Sequence, residues 1–139
     1  MIQIIAGEKG KGKTKILIEK ANTEVRAAKG SIVYLDKSNK HMYELSNKIR
    51  LITVPDYFIE NSNEFIGFIC GIISQDHDLQ ALYMDCFLQV TCTDNNNIAY
   101  VIGKLEKISE HFKVDITISI SLNPDQLPES VKKNVIVSL

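Results

Sequence analysis

The stretch GEKGKGKT, Gly7 to Thr14, decides how the chain is read. The apolar run Met1 to Ala6 precedes it, the pattern of a fully buried strand. After it, Ile16, Leu17, Ala21, Val25 and Ala28 recur at helical spacing until Gly30 supplies a stop. A strand, a turn with three glycines and a helix therefore follow one another without a gap. Lys9, Lys11, Lys13 and Lys15 crowd this turn and would repel one another if nothing lay between them. A bound polyphosphate relieves that repulsion. Gly7, Gly10 and Gly12 let backbone N–H groups point inward around phosphate oxygens, where a Cβ would obstruct them. The first turn of the helix adds free amides and the positive end of its dipole.

Working outward, Ser31 to Asp36 reads as a second strand, and His41, Met42, Leu45 and Ile49 predict one face of a helix starting near Ser38 or Asn39. Leu51 to Val54 is a third, short strand closed by Pro55. Glu64 to Ser74 (EFIGFICGIIS) is apolar nearly all round. It predicts a helix buried on most sides, capped from Asn61, Ser62 and Asn63, with Gly67 and Gly71 marking the close approach of another backbone. Leu79 to Leu88 contains a strand whose carboxyl end falls at Asp85. Thr93 to Asn97 is a polar loop supplying a cap for an amphipathic helix marked by Ile98, Val101, Ile102, Leu105, Ile108 and Phe112. Val114, Ile116, Ile118 and Ile120 then alternate with Asp115, Thr117, Ser119 and Ser121 in a strand. A short helix over Asp125 to Lys133 and a strand at Val135 to Val137 complete the chain. Strands separated by helices imply an α/β three-layer sandwich with a mostly parallel sheet, and ligands bind at the carboxyl ends of such strands.

The length of 139 residues suits one domain, residues 1–139, and the composition, 45% hydrophobic and 24% charged, is globular. No apolar stretch reaches membrane-spanning length and MIQIIAGEKG lacks the parts of a signal peptide, so a soluble, cytoplasmic protein is expected. The net charge of −1 argues against a general nucleic-acid or membrane-surface binder. It hides an asymmetry: residues 1–50 carry 11 Lys or Arg against 5 Asp or Glu, and residues 51–139 carry 5 against 12. Cys70, Cys86 and Cys92 have neither disulfide nor zinc-ligand spacing, and Cys70 lies in a run that predicts burial. His77 falls in a polar turn before a strand, while His41 and His111 fall on expected helices, and none is assigned chemistry.

Gly7 to Thr14 matches the phosphate-binding pattern G-x-x-x-x-G-K-[ST] at every fixed position. On this motif and its context, the chain resembles the P-loop NTPase superfamily over nearly its whole length. The resemblance implies that the segment Gly7, Glu8, Lys9, Gly10, Lys11, Gly12, Lys13, Thr14 and Lys15 wraps the phosphates of ATP or GTP. Lys13 would reach the β and γ phosphates and Thr14 would ligate Mg²⁺. Leu82-Tyr83-Met84-Asp85 looks like the Walker B strand, which makes Asp85 the second metal ligand and, with Lys13, the catalytic pair. The arrangement is similar to the RecA-like, additional-strand division, implying a five-stranded core of order 5-1-4-3-2 plus one short extra strand. There a polar residue on the fourth core strand, here Ser119, Ser121 or Asn123, stands near the γ phosphate. In size, and in YLDKSNKHMYEL, IRLITVPDY and GFICGIISQD, the chain resembles small bacterial P-loop proteins sometimes labelled twitching-motility ATPases.

Two departures shape the functional expectation. Many hydrolysing members carry Glu directly after the Walker B Asp, whereas Cys86 stands here; Asp36, Glu60 and Glu64 are possible substitutes. The chain has only two arginines, Arg26 and Arg50, and neither resembles the lid arginines of a small-molecule kinase. The expected function is Mg²⁺-dependent nucleotide binding with weak NTPase activity, raised by a protein partner or by homo-oligomerisation. A small-molecule kinase and a degenerate interaction module are the alternatives. No Asn-Lys-x-Asp guanine motif is present, so ATP is favoured over GTP.

Overall fold

The computed structural model describes residues 1–139. Its elements are β1 (Ile2–Ala6), α1 (Lys13–Ala27), β2 (Ser31–Asp36), β3 (Ile49–Thr53), α2 (Ser62–Ser74), β4 (Leu79–Met84), α3 (Phe87–Val90), α4 (Ile98–Phe112), β5 (Asp115–Ile120), α5 (Glu129–Lys132) and β6 (Val135–Ser138). The strands form one six-stranded sheet in the order β3-β2-β4-β5-β1-β6, and every pairing is parallel.

The expected sheet of five strands plus an appendage is thus a sheet of six. The segment expected as a short extra strand is a full member at one edge, paired with β2 from Ile32↔Ile49 to Asp36↔Thr53. With β3 set aside, the remaining order from the opposite edge is β6-β1-β5-β4-β2.

Alternation along the strands assigns the two faces. Ile2, Ile4 and Ala6 of β1, Val33 and Leu35 of β2, and Ile116, Ile118 and Ile120 of β5 pack under α2 and α4 in the larger core. Ile5, Ile32, Tyr34, Ala81 and Tyr83 point the other way, against Leu17, Ile18 and Ala21 of α1. Fully burying a side chain of this size contributes about 1.5–3 kcal/mol, so both layers hold the sheet. No helix is long and apolar enough to cross a membrane.

Four local expectations are corrected. Residues 38–48 form turns, not a helix, with bonds such as Met42 N–H to Asn39 O and Glu44 N–H to His41 O. Asn22 of α1 fixes this segment by accepting from Ser46 N–H at 2.8 Å and donating to Glu44 O at 2.9 Å. Only Leu45 of its apolar set is buried before Ile49 enters β3, while Tyr43 is 92% exposed. The expected helix over Asp125 to Lys133 is split at Pro128, which has no N–H to continue it, into a 3₁₀ turn (Pro124–Gln126) and α5. Cys70 is half-buried because α2 buries one side only, through Phe65, Ile69, Ile72 and Ile73.

Gly67 and Gly71 lie on the exposed side of that helix with no atom within 4 Å of an added Cβ, so no backbone approaches them. Gly30 and Gly7 do admit neighbours: a Cβ would stand 2.1 Å from the Asp78 carbonyl oxygen at Gly30 and 3.0 Å from the Leu139 carbonyl oxygen at Gly7. Gly67→Ala and Gly71→Ala should each stabilise the fold by about 0.5–1 kcal/mol in urea unfolding, by removing a helix-interior glycine. Gly30→Ala should destabilise it by about 1–3 kcal/mol in the same measurement, as overpacking does.

Candidate functional site

The carboxyl ends of the strands open on one cavity of about 540 Å³. Four segments line it: Lys9, Gly10, Gly12, Lys13 and Thr14 around the start of α1; Asp36, Lys37, Ser38, Lys40 and His41 after β2; Asp85, Cys86, Leu88 and Gln89 after β4; and Ser119 and Ser121 at the end of β5.

The turn before α1 needs glycine for its conformation. Gly10 and Gly12 have φ of 87° and 94°, while an added Cβ would meet nothing within 4 Å at either. Backbone angle, not crowding, excludes a side chain there. Gly12 occupies the N-cap of α1 and supplies no capping side chain, and the first turn carries no acid. The contrast with α2 is direct: Asn61 Oδ1 accepts from Glu64 N–H at 2.9 Å, and Glu64 Oε1 accepts from Glu60 N–H at 2.7 Å. One helix has a side-chain cap on a leading amide; the other has none and starts at the cavity wall, which suits an anion.

Lys13 is buried, 7% exposed, and its Nζ donates to the Glu8 carbonyl at 2.9 Å. Burial lowers its pKa, opposed by the charges of Asp85 and Cys86. An incoming phosphate would add the negative charge this ammonium lacks. Thr14 Oγ1 donates to Asp85 Oδ2 at 2.8 Å, so the two residues expected to share a cation are already in contact.

Strand register builds the rest. Leu35 pairs with Met84, and Met84 with Ile118, so the next residues, Asp36, Asp85 and Ser119, form a row across β2, β4 and β5. Ser119 Oγ donates to Asp85 Oδ1 at 2.5 Å, and Cys86 N–H donates to that same oxygen at 3.0 Å. Cys86 adopts a left-handed conformation, φ 53°, costly for a residue with a Cβ. Asp36 is 2% exposed; its Oδ1 accepts from Lys37 N–H at 2.7 Å and its Oδ2 has no partner. Burial raises the Asp36 pKa; the Lys37 amide opposes the shift and the Asp85 charge adds to it. Burial and Asp85 likewise push the Cys86 thiol up.

Gly7, Glu8, Lys11 and Lys15 stand outside the cavity wall, Lys11 and Lys15 exposed. Glu8 Oε1 accepts from Asn123 Nδ2 at 3.0 Å, which ties the turn to the chain beyond β5. Glu64 serves the α2 cap, and neither it nor Glu60, Arg26 or Arg50 reaches the cavity. Sequence reasoning missed Lys37, Ser38, Lys40 and His41. Their position directly after the carboxyl end of β2 was the available signal.

The parallel sheet, the glycine turn entering an uncapped helix, and the Asp on a strand two places away define a P-loop NTPase type of fold. No family model matches the sequence, and no curated protein does. Solved structures match. Flagellar accessory protein FlaH from Methanocaldococcus jannaschii superimposes with a TM-score of 0.61 at 16% identity, covering 95% of this chain and 65% of FlaH. The pCW3 conjugation coupling protein TcpA, in a monomer form with ATPγS, gives a TM-score of 0.49 at 15% identity, covering 96% of this chain and 46% of TcpA. The chain therefore spans just under two thirds of FlaH and less than half of TcpA. Neither carries a twitching-motility name.

The raised Asp36 pKa fixes the sign of a pH effect. The unfolded chain ionises this carboxyl before the folded one does, so the folded state holds the extra proton and stability falls as pH climbs through that interval. In metal-free buffer, Asp36→Asn should raise the melting temperature at neutral pH. The gain should vanish below about pH 4, where Asp36 is protonated in both states.

Proposed function

We infer that the chain binds a nucleoside triphosphate, ATP by preference, with its phosphates in the turn Gly7 to Thr14, and hydrolyses it weakly unless a partner or a second copy assists. The observation that carries this reading is the uncapped start of α1 opening on a cavity beside the Thr14–Asp85 contact. Backbone amides and Lys13 would hold the phosphate oxygens. Thr14 and Asp85 offer oxygen donors fit for Mg²⁺, which, when bound, neutralises charge on the β and γ phosphates. Lys9, Lys37 and Lys40 add positive potential around the mouth.

Weak turnover follows from position 86. A thiol there with a raised pKa neither takes a proton as a carboxylate does nor orients water by two oxygens. Phosphoryl transfer also uses extra positive charge late in the reaction, and both arginines lie away from the cavity. A second reading, a nucleotide-binding interaction module without turnover, is favoured by the same Cys86 and by the engagement of both Asp85 oxygens with protein donors.

Thermal denaturation with nucleotide tests the shared part of these readings. At a free concentration of about 100 times Kd, a ligand of the folded state alone stabilises by about 2.7 kcal/mol. Lys13→Ala should abolish the shift, and Asp85→Asn should keep a nucleotide shift but lose its Mg²⁺ increment. Absence of any shift at millimolar ATP or GTP would refute nucleotide binding.

Release of phosphate from ATP over prolonged incubation separates the two readings. Slow release that disappears in Lys13→Ala supports the NTPase, and none, with shift intact, supports the module.

A further inference from the structure

Nucleotide binding leaves two members of one cluster in the cavity wall, Asp36 and the Cys86 thiol, without a task. Asp36, Asp85 and Cys86 each offer a ligand atom, and these atoms lie within 4.8 Å of one another. One atom of this cluster lacks a partner: Asp36 Oδ2 is buried with no donor, while the fully buried Tyr34 hydroxyl is turned to the Asp85 carboxylate. Tyr34 precedes Asp36 by two residues on β2 and shares its face, and Asp85, Asp36 and Cys86 are the groups whose charges act on its hydroxyl.

A buried carboxylate oxygen without a donor is costly, and two neighbouring carboxylates repel. The nearby cations do not resolve this. The Lys13 ammonium is committed to the Glu8 carbonyl, the His41 ring pairs with Glu44, and Lys37 gives Asp36 only its backbone N–H while its side chain is exposed. His41 and Lys37 act on Asp36 through their charge, but no side chain bonds to its Oδ2.

We propose that Asp36, Asp85 and Cys86 form a binding site for one thiophilic divalent cation of the zinc class, with its remaining coordination position open to the cavity. The sulfur donor sets the class. Mg²⁺ takes oxygen ligands, whereas Zn²⁺ and Co²⁺ accept thiolate together with carboxylate. On binding, Cys86 Sγ forms a bond to the metal and its proton leaves to solvent, with no change of oxidation state. The site differs from the Thr14–Asp85 pair in its sulfur and in Asp36, and it requires no nucleotide.

Co²⁺ titrated into the metal-free full chain, without nucleotide, tests it. A thiolate-to-cobalt charge-transfer absorption should appear and saturate at one Co²⁺ per chain. Stoichiometric Zn²⁺ should displace it, and millimolar Mg²⁺ should not. Cys86→Ser should lose the band, and Asp36→Asn should weaken Co²⁺ binding about tenfold or more. Lys13→Ala should retain the band, so failure of nucleotide binding and failure of this site are separately visible. In the unsubstituted protein, Zn²⁺ should shield Cys86 but not the exposed Cys92 from alkylation, read by peptide mass, which needs no variant to fold. No band in the native chain, a band that survives Cys86→Ser, unaltered affinity in Asp36→Asn, or equal alkylation of Cys86 with and without Zn²⁺ would each overturn the proposal.

Discussion

The carboxylate of Asp85 is the point at which the separate elements of this molecule are tied. It accepts from Thr14 on α1, from Ser119 on β5 and from the Cys86 amide at its own strand end. These groups meet only because β5 lies between β1 and β4. The strand that feeds the glycine turn is then two places from the strand that carries the acid, and the intervening strand contributes a hydroxyl. A sheet with β1 and β4 adjacent would have no room for Ser119 between them. The topology is therefore a requirement of the site as well as of the core.

Such a site costs stability. Lys13, Asp36 and Asp85 are charged groups under 10% exposed, Cys86 sits at positive φ, and Asp36 Oδ2 has no partner. Each departs from what a fold optimised for stability alone would choose. The two hydrophobic layers carry that cost elsewhere, with α2 and α4 covering one face and α1 the other. Lys13, Asp36, Asp85 and Cys86 stand together on one cavity wall at the carboxyl rim, which marks the rim as the working surface, whereas Lys113 at positive φ and the partnerless Asn134 Oδ1 carry such costs singly at the amino end.

The legible part of the sequence was the part governed by local rules. Strand-turn-helix at residues 1–28 follows from apolar runs and glycines, and α4 and β5 from clean periodicities of 3.6 and 2. Residues 38–48 were misread because His41, Met42, Leu45 and Ile49 fit a helical repeat by number alone. The segment is held by Asn22, far away in sequence, and Ile49 belongs to a strand. In α2 the apolar residues run nearly all round, yet burial is one-sided; composition could not reveal that the helix closes an outer layer with no further element against Gly67 and Gly71. The site divides in the same way. The motif singles out Lys13 and Thr14 and the resemblance to a Walker B strand singles out Asp85, and all three line the cavity, whereas the lysines and His41 after β2 enter it through tertiary placement.

Register explains why Asp36 and Asp85 meet at all. The pairing Tyr34↔Tyr83 and Leu35↔Met84 continues to the two acids, and the Asp85 N–H bonds to the Leu35 carbonyl at 2.9 Å. Because side chains alternate along a strand, a slip of one residue would turn one acid to the opposite face of the sheet and bury an apolar partner wrongly along the whole strand. The stacked rings of Tyr34 and Tyr83, 6.5 Å apart, sit directly behind the pair and oppose such a slip. Tyr83 is held in turn by its hydroxyl bond to Glu24 of α1, which joins the register of β2 and β4 to the same helix whose first turn faces the cavity. The position of the acids and the position of the uncapped amides are thus set by one packed layer, and neither can shift without the other.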